Sequence, residues 1–193
     1  MNLFQVNEDI FLKILELQDA EPLFHLVAEN RTFLRTWLPW VDSNSTVEES
    51  KTFIQSAIEQ NAQHLGFQCG IWYRNQLAGV IGFHRIDWMN KNVEIGYWLG
   101  SLFQGKGIMT ASCSALIDYG FTILKLHRIQ IRCATENHKS RAIIERLGFI
   151  KEGTMRQAEF LYDRYVDLFI YGLTVDEWNL QNKHGVNVHP RPI

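Results

Sequence analysis

The chain has 193 residues, 46% of them hydrophobic and 21% charged, with a formal net charge of −2 at pH 7. This is enough material for one substantial core in a single domain, and the charge balance gives no general attraction to DNA, RNA or an anionic membrane. The chain opens without a basic, apolar leader, no run reaches the ~18 apolar residues of a membrane-crossing helix, and Cys69, Cys113 and Cys133 lack C-x-x-C spacing, so a cytoplasmic protein with reduced core thiols and no zinc site is expected.

In chain order, residues 10–15 read as a strand, and Asp19 is placed to cap a helix to about Ala28, with Pro22 tolerated in its first turn. Residues 33–40, with Trp37, Pro39 and Trp40, are too aromatic for a solvated linker and too interrupted for a long helix; they are expected to line or cover a cleft. Thr46-Val47-Glu48-Glu49 is a capping box leading a helix to about Asn61. Residues 67–73, 77–84 and 93–99 are β-rich runs separated by polar breaks, which predicts a meander of three antiparallel strands.

The next segment, Phe103-Gln104-Gly105-Lys106-Gly107-Ile108-Met109-Thr110, is the most specific feature of the chain. It joins a strand to a helix expected from near Lys106 to about Leu124, with Ala111, Ala115, Ile117, Phe121 and Leu124 facing inward. A glycine-rich turn there presents unpaired backbone amides at the positive end of a helix, which suits phosphate. The pattern G-x-x-x-x-G-K-[ST] fails because Gly107 stands where Mg²⁺ needs a hydroxyl, and G-x-G-x-x-G fails because Thr110 holds the third glycine position. Neither a nucleotide kinase nor a dinucleotide oxidoreductase is therefore indicated.

A strand follows at 128–134, then a break at 137–140, a short helix carrying Ile143, Ile144 and Leu147, and Gly148 as its left-handed cap. Residues 149–152 return to β structure, and a hairpin of 154–160 and 165–174 turns at 161–164. The domain is expected to span residues 1–178. Residues 179–193, polar and with Pro190 and Pro192, read as a mobile tail or an oligomer contact, and a homodimer is one arrangement this allows.

This order of elements, with Gln104-Gly105-Lys106-Gly107-Ile108-Met109 set against the pattern Q/R-x-x-G-x-G/A, resembles the GNAT superfamily of acetyl-CoA-dependent N-acyltransferases. Met109 departs from the pattern, which has glycine or alanine there. Asn137-His138-Lys139-Ser140, the later Gly148-Phe149, Glu94-Ile95-Gly96-Tyr97-Trp98-Leu99 and Gln157-Ala158-Glu159-Phe160 are similar to the RimJ/RimL branch, which acetylates ribosomal-protein N-termini. The likeness covers about residues 10–178.

The resemblance implies an α+β fold of GNAT type, with a mixed, mostly antiparallel central sheet flanked by helices on both faces. It implies acetyl-CoA as co-substrate without a metal, its diphosphate held by main-chain amides of Gln104, Gly105, Lys106, Gly107, Ile108, Met109 and Thr110. Pantetheine would be held by Asn137, and the thioester oxygen would meet a main-chain N–H at Trp98 or Leu99, where two strands splay. Glu159 is the first candidate for general base and Glu94 the second; either also fits a strand carboxylate paired with a neighbouring cation. Ser140 would protonate the departing sulfur, and it also fits the cap of a helix over residues 139–147. Trp37 and Trp40, with Trp88 and Trp98, would wall the acceptor site or belong to the core. The implied acceptor is a primary amine, first a ribosomal-protein N-terminus, with no nucleic acid or membrane partner; a small-molecule amine, or a non-catalytic acyl-CoA-binding role, are the alternatives.

Overall fold

The computed structural model describes residues 3–183. Eight strands form one sheet in the order β1-β2-β3-β4-β5-β6-β8-β7: β1 Leu3–Gln5, β2 Ile10–Ile14, β3 Phe67–Tyr73, β4 Gln76–Phe83, β5 Asn92–Leu99, β6 Arg128–Ala134, β7 Ile150–Leu161 and β8 Arg164–Thr174. Every pairing is antiparallel except β5 with β6. The expected meander is β3 to β5, and β1 is an added edge strand too short to read as a periodic run.

Helices lie on both faces: α1 Ala20–Glu29, a single turn α2 Arg31–Leu34, α3 Val47–Ala62, α4 Ile108–Thr122, α5 His138–Arg146 and α6 Val175–Lys183. One face of the sheet, through Cys69, Ile71, Ile81, Phe83, Ile95 and Ile129, packs on α4. The other, through Leu15, Leu77 and Val80, packs on Leu23 and Leu26 of α1 and Ile54 of α3. Removing that apolar surface from water from both sides of the sheet is the main favourable contribution to the fold.

Several local readings are corrected. Asp19 does not cap α1 with its side chain; its carboxylate accepts from Glu16 N–H and Lys13 Nζ, both at 2.9 Å. The buried stripe of α4 runs through Cys113, Leu116 and Ile117, whereas Ala111 and Ala115 are only part-buried, because a helix apolar or small almost all round has too little periodicity to fix its inner face. Residues 150–161 form one bulged strand instead of two runs. Regular structure passes Trp178 and continues to Lys183; residues 184–193 of the expected tail lie outside the described residues.

The capping box at Thr46 forms as read, with Glu49 N–H donating to Thr46 Oγ1 and Thr46 N–H to Glu49 Oε2. Gly148 takes φ 78° after α5. All three cysteines are buried and unpaired. Among the described residues no helix is long and apolar enough to cross a membrane.

Candidate active site

The site is built on a gap in the sheet. β5 and β6 pair only at Asn92↔Arg128, Val93↔Ile129 and Glu94↔Gln130, then each continues without the other, β5 to Leu99 and β6 to Ala134. β5 stays paired with β4 on its other side. There the Glu94 carbonyl accepts from His84 N–H and Gly100 N–H donates to Ala78 O, so even-numbered residues of β5 turn their main-chain groups toward β4. Tyr97 and Leu99, at odd positions, turn theirs into the gap. Of the two amides expected from the sequence, Leu99 faces the gap and the main chain of Trp98 belongs to the β4 ladder.

Beyond β5 the chain makes the glycine-rich turn. Gly105 and Gly107 have φ of 73° and 74°, in the left-handed region that side chains disfavour, and a Cβ on either would meet nothing within 4 Å. Open space therefore stands in front of the turn. Gly107 is the N-cap of α4, whose first hydrogen bond runs from Ala111 N–H to Gly107 O at 3.0 Å, leaving the amides of Ile108, Met109 and Thr110 without helical acceptors. The Met109 side chain is 4% exposed and packed in the core, not laid across the turn. Lys106 does not line the groove; its ammonium sits over the rings of Tyr73 and Phe103, 5.5 and 5.9 Å from their centroids.

Two cavities meet at the gap. The first, about 1050 Å³, runs along the turn past Leu99, Gln104, Gly105, Gly107 and Thr110 to α5. The second, about 790 Å³, lies on the α1 and α3 side and contains Trp40, His84, Glu94, Arg132 and Glu159. They share Trp37, Leu38, Tyr97, Trp98, Asn137 and Ser140. Trp88 is not part of this wall: it is 42% exposed and donates to the His64 carbonyl at 2.6 Å. Trp40 and Trp98 pack together at 5.8 Å, so these tryptophans serve both core and cavity.

Ser140 is the third residue of α5 and not its cap. Asn137 is the cap, its Oδ1 accepting from Ser140 N–H at 3.2 Å. The Ser140 hydroxyl lies 2.8 Å from that of Tyr97. Lys139 and Arg146, seven residues apart on α5, both line the first cavity; Lys139 donates to Gln104 Oε1 at 2.9 Å and Arg146 to Thr110 Oγ1 at 3.2 Å. These two cations escaped the sequence reading, though a seven-residue spacing on a helix beginning at Asn137 marks one face.

The two glutamates differ sharply. Glu94 accepts two hydrogen bonds from Arg132, at 2.8 and 2.9 Å, and one from Gln130 at 3.0 Å, with His84 Nδ1 at 3.6 Å. Burial acts to raise its pKa, but these donors, led by His84 and Arg132, outweigh it and take Glu94 down to about 2. Glu159 shifts the other way: burial raises it, the Arg132 charge opposes and the Glu94 charge adds. A carboxylate tied to an arginine is a weak proton acceptor. A part-buried one with a raised pKa is a better one.

Glu159 reaches the cavity through a bulge. Between Met155↔Leu168 and Glu159↔Val166, β7 carries residues 156–158 opposite the single Asp167 of β8, two more than an unbroken ladder has. Gln157 takes φ 50°, and its N–H donates to Asp167 Oδ1 at 2.8 Å. The roof of the second cavity is tied down nearby, where Tyr162 Oη donates to Leu38 O at 2.6 Å and Arg35 stacks on the Tyr162 ring at 3.7 Å. Among the described residues no three His, Cys, Asp or Glu side chains gather as metal ligands would.

An amide-lined turn, a splayed strand pair and a second cavity holding carboxylates define a group-transfer enzyme of the GNAT kind. The family profile described as the acetyltransferase (GNAT) domain matches residues 9–150, and the chain belongs to that family. It is 34% identical over 172 residues to the ribosomal-protein-serine acetyltransferase of Escherichia coli K12, covering 89% of this chain and 96% of that one. Among solved structures it is similar to RimL, a ribosomal L7/L12 α-N-protein acetyltransferase in complex with coenzyme A, with a TM-score of 0.88, 31% identity, and 91% and 99% of the two chains covered. It is also similar to the microcin C7 self-immunity acetyltransferase MccE in complex with acetyl-CoA and AMP, at a TM-score of 0.85, 35% identity, and 89% and 95% coverage.

Proposed function

We propose that the protein transfers the acetyl group of acetyl-CoA to the N-terminal α-amine of a protein, with a ribosomal protein as acceptor. The observation that carries this reading is the meeting of the two cavities at Tyr97, Trp98, Asn137 and Ser140, with open amides at the outer end of one and Glu159 in the other. Acetyl-CoA would lie in the first. Its diphosphate is assigned to the amides of the turn around Gly105 and Gly107, with Lys139 and Arg146 as the nearby cations, and its pantetheine to the gap beside Asn137 and β5. The thioester oxygen is assigned to Leu99 N–H. Of the groups expected to hold the cofactor, the Lys106 ammonium and the main chain of Trp98 are left without a direct role.

Glu159 is assigned as general base and Ser140 as the group that protonates sulfur. An α-amine has a pKa near 7.7–8.0 against ~10.4 for lysine, so at pH 7 roughly a tenth of it is already neutral, and a carboxylate acting directly or through one water is base enough. Most of the acceleration would come from holding the two reactants in line, worth about 7–11 kcal/mol. Trp37 and Trp40 would wall the acceptor.

The test is to mix protein, acetyl-CoA and synthetic peptides carrying ribosomal-protein N-terminal sequences, and to follow free thiol release and the mass of the peptide. Equal release with and without any amine would sink the catalytic reading. Transfer to polyamines or amine-bearing antibiotics, and not to peptides, would move the acceptor to the small-molecule class.

A further inference from the structure

Tyr97 is absent from the roles derived from the sequence, yet it stands where the two cavities meet. Its phenol oxygen is 2.8 Å from Ser140 Oγ and 3.4 Å from the Ser140 carbonyl, while its ring packs against the core beside α4. Ser140 is fixed from the other side by Asn137, so the two hydroxyls face each other between rigid elements, a strand and the first turn of a helix.

A serine hydroxyl carries one hydrogen and two acceptor sites. If that hydrogen is spent on the phenol oxygen, it is lost to a leaving group; if the phenol donates instead, the serine hydrogen is free to turn into the donor groove. We propose that Tyr97 is a positioning residue for acyl transfer: its phenol donates to Ser140 Oγ and thereby aims the Ser140 hydrogen at the sulfur of the thioester. The inference rests on the acetyl transfer proposed above.

Burial holds the Tyr97 phenol well above its ordinary pKa, against the pull of Ser140, so it stays protonated and is a constant donor without being a proton source. Cys133, whose thiol burial pushes up to about 11, is the other neighbour toward which the Ser140 hydroxyl could turn. A hydrogen bond donated by the phenol occupies one acceptor site of Oγ and so narrows the choice of rotamer.

In the step itself the amine nitrogen bonds to the carbonyl carbon and loses a proton to Glu159. The C–S bond then breaks with its electron pair on sulfur, which takes the Ser140 proton. Ser140 is reprotonated from water as Glu159 gives up the amine proton to water, so one proton leaves nitrogen and one arrives at sulfur.

The test is a double-mutant cycle with acetyl-CoA and an amine acceptor that the wild-type protein turns over. Tyr97→Phe keeps the packing and is expected to lower kcat by about fivefold, the effect of one lost hydrogen bond, with KM for acetyl-CoA changed less than about twofold. Ser140→Ala lowers kcat further, and in that background Tyr97→Phe is expected to change nothing more. Multiplying penalties in the double variant, or a Tyr97→Phe enzyme with unaltered kcat, overturns the inference while leaving acetyl transfer intact. A wild-type protein that releases no thiol with any amine overturns both.

Discussion

Arg132 clasps Glu94 through Nε and Nη2 at 2.8 and 2.9 Å, and this pairing decides which of two glutamates in one cavity is free to accept a proton. The arginine charge that would hold Glu159 down is largely spent on its partner. Glu159 is left half-buried with its pKa raised.

Glu159→Gln is therefore expected to lower kcat by about 10² or more, the scale of losing a general base, with acetyl-CoA affinity unchanged by calorimetry. Glu94→Gln should act indirectly. It removes the charge that raises Glu159 and frees Arg132 to lower it, so the acid limb of the kcat/KM profile moves to lower pH. A limb that stays in place or moves up would contradict the coupling.

Stability should follow Glu94 in the opposite sense to the usual buried carboxylate. Its pKa is about 2 in the folded chain and near 4.3 when unfolded, so its contribution is fully present above about pH 4.3 and fades as pH falls toward 2. That contribution is on the order of 2 kcal/mol once partial solvent screening is allowed for. Urea titrations at pH 7 and pH 3 should show a smaller drop for Glu94→Gln than for the wild type.

Gly107→Val places a side chain at φ 74°, where the space is open but the backbone is disfavoured. A stability loss of about 1–2 kcal/mol is expected, together with acetyl-CoA binding weakened by about tenfold or more as the new side chain stands before the amides. Met109→Ala restores the family pattern but is expected to lower stability without tightening acetyl-CoA binding. Because Met109 is core, its truncation costs about 2 kcal/mol or more and leaves affinity where it was. Calorimetry and thermal unfolding on the same samples separate the two.

Asp167→Ala removes the acceptor that pins Gln157 in the β7 bulge. The expected result is a kcat lowered roughly tenfold by misplacement of Glu159, with little change in acetyl-CoA affinity. Asp167→Asn, which keeps an acceptor oxygen, should recover most of the loss.

Much of this protein was legible along the chain because its determinants are local. β-rich runs between polar breaks marked β3 to β5, a capping box marked α3, and two glycines before an apolar helix marked the amide turn, since backbone conformation and cap chemistry act over a few residues. The family likeness then brought Glu159, Ser140 and Glu94 to attention and put Glu159 before Glu94, without a physical reason for that order. The reason, and the setting of Ser140, came from groups far apart in sequence: Arg132 lies 38 residues from Glu94 and Tyr97 lies 43 from Ser140. Burial and charge pairing depend on what the fold brings within a few ångströms, and no local pattern encodes that distance. The departure of β5 from β6, which opens the groove, likewise belongs to the tertiary structure, because each strand reads as continuous and only their divergence makes the site.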